Sequence, residues 1–148
     1  MKSYRHVREK YRRMGNGYYH FCTDGWKEGN IFNNVAQCAY GMVLIGLICL
    51  KYAIVIYDFT LMSNHIHMIM SGTGESAFEA FGYLKFKLNK MLKADGYKPL
   101  PEEYGFMLQP VEDEEQMRTL NGRPGWMAMV QFIFALLHIG VNDKGLEG

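Results

Sequence analysis

Residues 53–72 read AIVIYDFTLMSNHIHMIMSG, and this stretch decides the fold. The β-branched and aromatic run over 53–62 is typical of a strand, and the apolar residues of 65–72 indicate a second strand. Ser63 and Asn64, which stand between the two runs, are a turn-forming pair. We therefore predict a hairpin of two antiparallel strands.

Two histidines in the second strand are the candidate functional residues. Because side chains alternate along a strand, one face carries His65, His67 and Ile69, and the other carries Ile66, Met68 and Met70. The apolar set can be buried against helices, which leaves two imidazoles side by side on the open face. Such a pair can bind a divalent metal and leave positions for water or a phosphate oxygen. A bare His-x-His pair is more often structural, so that interpretation stays open.

The elements on either side of the hairpin indicate an α+β fold. Asn33 or Asn34 is placed to cap a helix that starts at Val35 and whose apolar positions predict that it is largely buried. The predicted elements are a strand over 17–25, a helix over 35–51, the hairpin strands, a helix over 75–94, a strand over 105–111 and a helix beginning within 112–120. The predicted order is β-α-β-β-α-β-α, an antiparallel sheet with helices packed on one face.

Composition and cysteine usage limit the classes to which the protein can belong. The chain has 148 residues, of which 49% are hydrophobic and 21% are charged, so it is long enough for one folded domain. Three cysteines without C-x-x-C spacing favour reduced thiols in the cytoplasm over a disulfide framework or a zinc site. The apolar runs at 41–50 and 126–141 are shorter than a usual membrane span, so we expect a soluble, cytoplasmic protein that binds no membrane.

The positive charge is concentrated in two places although the net charge is only +1. One is a basic arm over 1–13, and the other is the helix predicted over 75–94. Basic clusters of this kind suit a polyanion such as nucleic acid, and a solvated surface is the open alternative. The candidate DNA-binding residues are Arg5, Arg8, Lys10, Arg12, Arg13, Lys85, Lys87 and Lys90.

The histidine motif also resembles a known family. Residues 62–67 read Met-Ser-Asn-His-Ile-His, which is similar to the Met-x-Asn-His-hydrophobic-His core of the one-tyrosine HUH (His-hydrophobic-His) transposases. These include the insertion-sequence-200 type and its repeat-associated relatives. The segments 18–32 and 52–62 lie where that family has its first strand and the strand before the motif. The resemblance extends from about Tyr18 to Leu120.

The resemblance implies a fold and a mechanism. The fold would be ferredoxin-like, as in HUH endonucleases, and the protein would be a homodimer. His65 and His67 would hold Mg²⁺ or Mn²⁺ against a scissile phosphate of single-stranded or hairpin DNA. A tyrosine hydroxyl would attack that phosphate and form a covalent 5′-phosphotyrosine link, and the broken phosphodiester bond would leave a free 3′-OH. The strand would later be rejoined without ATP during DNA transposition.

The nucleophile of that family has no counterpart at the expected position. The family carries it in a Tyr-x-x-x-Asn-Pro pattern on a helix after the last strand, whereas no tyrosine follows Tyr104 here. The remaining candidates are Tyr97 and Tyr104. Alternatively, residues 121–148 are a frameshifted or rearranged end to a domain that spans 1–120, or a different partner chain supplies the tyrosine. A third metal ligand would come from the same helix, and the residues weighed for it are Gln131, His138 and Asn142.

Three other functions stay open at this point. The chain is alternatively an inactive remnant that only binds DNA hairpins, or a small RNA-binding α+β domain whose histidines are structural. A metal-dependent hydrolase of a small substrate would need a third protein ligand and a closed pocket.

Overall fold

The computed structural model describes residues 4–111, with side chains from Val7 onward. This part of the chain contains three helices and four strands. They are α1 (Tyr4–Arg12), β1 (Gly17–Thr23), α2 (Val35–Tyr52), β2 (Val55–Leu61), β3 (Ile66–Gly72), α3 (Gly74–Ala94) and β4 (Phe106–Pro110). The helix predicted to begin within 112–120 and the tail 121–148 lie outside the described residues.

The four strands form one antiparallel sheet in the order β2-β3-β1-β4. Its inner face contributes Phe21, Met68 and Leu108 to a hydrophobic core, and all three helices pack side chains into the same core. The α+β class and the antiparallel sheet are therefore confirmed. The more specific assignment to the ferredoxin-like HUH fold stays a prediction.

Strands β2 and β3 form the predicted hairpin. Leu61 pairs with Ile66 and Thr60 pairs with His67, and a bulge between Ile56 and Asp58 shifts the register farther from the turn. The turn closes through the His65 carbonyl, which accepts a hydrogen bond from the Met62 amide at 2.9 Å. His65 therefore lies at the end of the turn, one residue before β3 begins, and His67 lies within β3.

The two central helices begin at side-chain caps. The Asn34 side chain accepts from the Gln37 amide at the start of α2, and Thr73 accepts from the Ser76 amide at the start of α3. Each satisfies an amide that has no partner within its helix. Asn34, one of the two predicted caps, is thus the residue that fixes where α2 starts.

Helix α2 is less buried than the sequence suggested. Its inner residues, which include Leu44, Ile45 and Ile48, pack into the core, but Val35 and Leu50 are 86% and 85% exposed. The prediction of a largely buried helix is therefore wrong for its outer face. In the described part of the chain α2 alone has the length and apolar composition of a membrane span, criteria that core helices of soluble proteins also meet.

The basic arm contains the helix α1, so the observed order of elements has a helix before β1 that the sequence did not indicate. The Tyr11 ring is buried and stacks on Phe78 and Phe106 with ring centroids 5.6 Å and 4.7 Å apart. Its hydroxyl donates to the Phe106 carbonyl at 3.0 Å. Tyr11 therefore anchors α1 to the core and is not a surface contact for a polyanion.

Candidate functional site

The outer face of the sheet carries the candidate site. Since residues paired across antiparallel strands project from the same face, the register defines two rows of side chains. The rows are Asp58, Ile69, His20 and Gln109, and then Thr60, His67, Cys22 and Met107. Met68 and Met70, which alternate with His67 and Ile69, are buried in the core on the other face. The predicted separation of the two faces of β3 is confirmed.

His67 is in direct contact with a third histidine, His20 of β1. The two ring centroids are 4.1 Å apart and the ring planes are nearly perpendicular, at 86°. His20 pairs with Ile69, and His67 pairs with Cys22, so His20 and His67 are diagonal neighbours on adjacent strands. Both side chains are half-buried. The site is therefore built from two adjacent strands and not from the His-x-His motif alone.

His65 is held by the residue that precedes it. Its Nδ1 lies 2.9 Å from the Asn64 side-chain oxygen, and the Asn64 Nδ2 donates to the Trp26 carbonyl at 3.2 Å. Because Nδ2 of the Asn64 amide is directed at Trp26, its oxygen faces the imidazole, which assigns the proton of His65 to Nδ1. The lone pair on Nε2 is then available to a metal ion.

A loop that precedes α2 fixes the histidine turn. The Ser63 carbonyl accepts from the amides of Ile31 and Phe32 at 2.7 Å and 3.1 Å, and the Asn64 carbonyl accepts from the Trp26 amide at 3.2 Å. Sequence reasoning gave this loop no role, since none of its residues carries a recognised motif. The half-buried Asn64 side chain was the one local signal, because a polar group that is shielded from water needs hydrogen-bond partners.

The surroundings of His67 favour its uncharged form. Burial lowers its pKa below the ordinary value, and the neighbouring His20 and His65 lower the pKa further, while Asp58 opposes the change. An imidazole whose pKa lies below 6.5 is neutral at pH 7, which is the form that binds a metal ion. Asp58 is thus near enough to act on His67 electrostatically.

The donor set supplies two positions for a divalent metal. His65 offers Nε2, and His67 is neutral and half-buried on the open face, so both fit as ligands. Nitrogen donors suit Mn²⁺ better than Mg²⁺, which prefers oxygen. Within residues 4–111, no three histidine, cysteine or acidic side chains are already arranged as a metal site. Gln131, His138 and Asn142, the residues weighed as a third ligand, lie outside that range.

The two tyrosine candidates differ in accessibility. Tyr97 lies in the turn after α3 and is 41% exposed. Tyr104 is 5% exposed, and its hydroxyl donates to the Thr23 Oγ1 at 2.7 Å. Burial raises the pKa of Tyr104 to about 12. A buried phenol that is already hydrogen-bonded is poorly suited to attack a phosphate, and its position indicates a structural role.

Replacing Tyr104 with phenylalanine tests that structural role. The change removes the bond to Thr23, which also accepts a hydrogen bond from the Ile66 amide at 2.8 Å. We expect the free energy of unfolding to fall by about 1 kcal/mol, the usual net value of one buried hydrogen bond. Chemical denaturation measures this, and Tyr97→Phe is the matched control with little expected change. A Tyr104→Phe protein as stable as wild type would contradict the assignment.

The candidate DNA-binding residues lie in or beside the helical layer, away from the open face. Arg8 and Arg12 form ion pairs with Glu75 at 3.4 Å and 3.1 Å, so both attach α1 to α3. Lys85 donates to the carbonyls of Glu102 and Tyr104 at 2.6 Å and 2.9 Å, and burial lowers its pKa.

The other predicted basic residues lie on or next to the same two helices. Lys10 and Arg13 are exposed, Arg5 lies on α1, and Lys87 and Lys90 lie over the rings of Tyr83 and Phe86, both on α3. The fold therefore does not bring the predicted basic residues together with His65 and His67.

Comparison of the sequence with models of known protein families and with curated proteins finds no match. The function of the protein is therefore inferred from the geometry of its histidine site and from the resemblance of residues 62–67.

Proposed function

We propose that this protein is a transposase-like enzyme of the cytoplasm that cleaves and rejoins single-stranded DNA with the help of a divalent metal. The observation that supports this is that His65 ends a hydrogen-bonded turn and that His67, two residues farther on, lies on the outer face of an antiparallel sheet. The resemblance of residues 62–67 to the HUH motif implies that these two histidines hold a divalent metal.

The chain's own residues would prepare the site before DNA binds. Asn64 orients the His65 ring through Nδ1, and the amides of Ile31 and Phe32 hold the turn in place. Burial and neighbouring charge keep His67 neutral. A bound Mg²⁺ or Mn²⁺ would polarise the scissile phosphate and offset developing negative charge. A preorganised pair of ligands loses little conformational entropy when the metal binds.

The outer face of the sheet also suits a single strand. Tyr18 and Tyr57 lie beside each other there, with ring centroids 5.7 Å apart, and the Tyr57 hydroxyl lies 3.2 Å from Ser71 Oγ. Aromatic rings on an open sheet face can stack on unpaired bases without reading their sequence. The substrate would therefore be a strand that crosses this face and continues into a hairpin, bound by a homodimer of the chain.

Covalent capture is the direct test of this function. The protein is incubated with Mn²⁺ and a labelled single-stranded oligonucleotide that contains a hairpin, and the products are separated on a denaturing gel. We expect a metal-dependent protein–DNA adduct that His65→Ala abolishes and that Leu50→Ala, on the exposed outer face of α2, retains. Peptide mapping of the adduct identifies the tyrosine. An adduct of equal yield in the His65→Ala protein would contradict the proposal.

A second function is supported by the tyrosines themselves. The Tyr104 hydroxyl already donates a hydrogen bond to Thr23, and the sequence has no later tyrosine. The chain would then be an inactive remnant that still binds DNA hairpins. Hairpin binding without an adduct, at a metal concentration that saturates the site, supports this version. RNA binding that needs no metal and that His65→Ala leaves unchanged supports the RNA-binding alternative.

A further inference from the structure

Three lysines converge on the helical layer, on the side of the sheet opposite the histidines. Lys51, at the end of α2, lies over the ring of Tyr83 at 4.7 Å from the ring centroid, and Lys87 lies over the same ring at 5.7 Å. Three residues farther along α3, Lys90 lies over the ring of Phe86 at 5.5 Å. These three lysines and two rings form a surface that we call the lysine patch.

We propose that the lysine patch binds the phosphate backbone of a nucleic-acid duplex. This inference goes beyond the proposed function, because it needs neither a metal ion nor a nucleophile. It gives the chain two separate contact surfaces. The outer face of the sheet would take an unpaired strand, and the lysine patch would take a duplex such as the stem of a hairpin.

The positive charge of the lysine patch is not neutralised within the described part of the chain. Each ion pair among residues 4–111 uses another cation, and none includes a lysine of the patch. The acids that flank the patch along α3 are engaged elsewhere. Glu79 pairs with Arg8, and the Asp95 carboxylate accepts from the Gln37 side chain at 2.9 Å. The patch therefore presents cations that an external anion can neutralise.

The fold also holds two of these cations close together. Because Lys51 and Lys87 share the ring of Tyr83, their ammonium groups lie within about 10 Å of each other. That separation is about one Debye length at 0.1 M salt, so the two charges repel each other. A phosphate that binds between them removes this repulsion, and the binding releases counterions from the nucleic acid.

The rings of the patch orient lysines and do not read bases. Tyr83 lies beneath two ammonium groups and also meets the ring of Tyr52 with centroids 6.0 Å apart, so it is not free to stack on a base. Lys87 and Lys90 are separated by about 4.5 Å along the helix axis, which is comparable to the rise of about 3.4 Å per phosphate along one strand of a duplex. Phosphate contacts of this kind position a duplex without reading its sequence.

Binding of a labelled duplex in the presence of a metal chelator tests the inference. Fluorescence anisotropy over a series of salt concentrations gives the affinity and its salt dependence. We expect the triple variant Lys51→Gln, Lys87→Gln and Lys90→Gln to bind at least about tenfold more weakly than wild type, and the slope of log affinity against log salt to fall by about three. Two duplexes of unrelated sequence should bind alike, and a preference of more than about tenfold would refute phosphate contact.

The matched control is a triple variant of exposed lysines outside the patch, Lys10→Gln, Lys27→Gln and Lys98→Gln. It changes the net charge by the same amount, so equal losses of duplex affinity in the two variants would overturn the inference. A wild-type protein that binds no duplex would do the same. If the patch variant keeps its duplex affinity but no longer binds vesicles that contain anionic phospholipid, the surface belongs to a membrane contact instead.

The outcomes separate the lysine patch from the proposed function. Loss of duplex binding in the patch variant, in a protein that forms no covalent adduct with DNA, supports the patch and contradicts the cleavage activity. Equal duplex binding by the patch variant and wild type, in a protein that forms a metal-dependent adduct, refutes the patch and leaves the histidine site standing. Circular dichroism verifies that each variant is folded.

Discussion

Replacing His67 with alanine should lower the affinity for Mn²⁺ by roughly 100-fold or more and abolish metal-dependent chemistry, because the change removes an imidazole from a site with few protein ligands. The fold should survive, since His67 is half-buried on the outer face and the core residues on either side of it are retained. Titration calorimetry with Mn²⁺ measures the loss, and circular dichroism verifies the fold.

Ser71→Ala is the control for that change, because Ser71 shares the strand and the face but offers no nitrogen donor. Its Mn²⁺ affinity should equal that of wild type. An alanine at position 67 that left the affinity within twofold of wild type would show that the metal, if bound, is bound elsewhere. The proposed function would then lose its main support.

The largest loss of stability is expected from Gly74→Ala. Gly74 is the first residue of α3, and its amide donates to the Met14 carbonyl at 2.8 Å. A β-carbon there would overlap the Tyr11 carbonyl and lie 2.6 Å from the Met14 Cβ. The neighbours include backbone atoms, which cannot turn aside as a flexible side chain can. We expect a loss of about 3 kcal/mol and a melting temperature lower by roughly 10 °C.

Gly82→Ala is the matched comparison within the same helix. A β-carbon at Gly82 meets nothing within 4 Å, and the position is exposed on α3. Alanine is the better helix former by about 1 kcal/mol, so this variant should be more stable than wild type. Thermal unfolding of the two variants under one set of conditions measures both effects. Equal melting temperatures would refute the close approach of the residue 11–14 backbone to α3.

Local sequence patterns predicted most of the fold. The hairpin, both central helices and the last strand were predictable because turn residues, caps and apolar periodicity act over a few residues. Asn34 and the Ser63–Asn64 turn are examples, since the side chains that define them lie next to the elements that they start or connect. The same alternation placed His67 on the outer face of β3 and Met68 in the core.

Contacts between distant parts of the chain were not predictable in this way. Helix α1 has six basic residues around it and no apolar run, yet Tyr11 packs on Phe106, which is 95 residues away. The contact of His20 with His67 likewise follows from the β1–β3 register, which no single segment encodes. The exposed outer face of α2 differs from the prediction because its apolar residues surround the helix, and pattern alone does not say which side is covered.

The hydrogen bonds that hold the Ser63–Asn64 turn limit the insertions that the chain can accept there. The tip of a hairpin is usually where a chain tolerates extra residues, since few contacts would be lost. Here the carbonyls of Ser63 and Asn64 accept from three amides of the preceding loop. A single inserted residue would displace those acceptors and turn His65 away from His67. The connection that looks most permissive in the sequence is therefore one of the least tolerant of length variation.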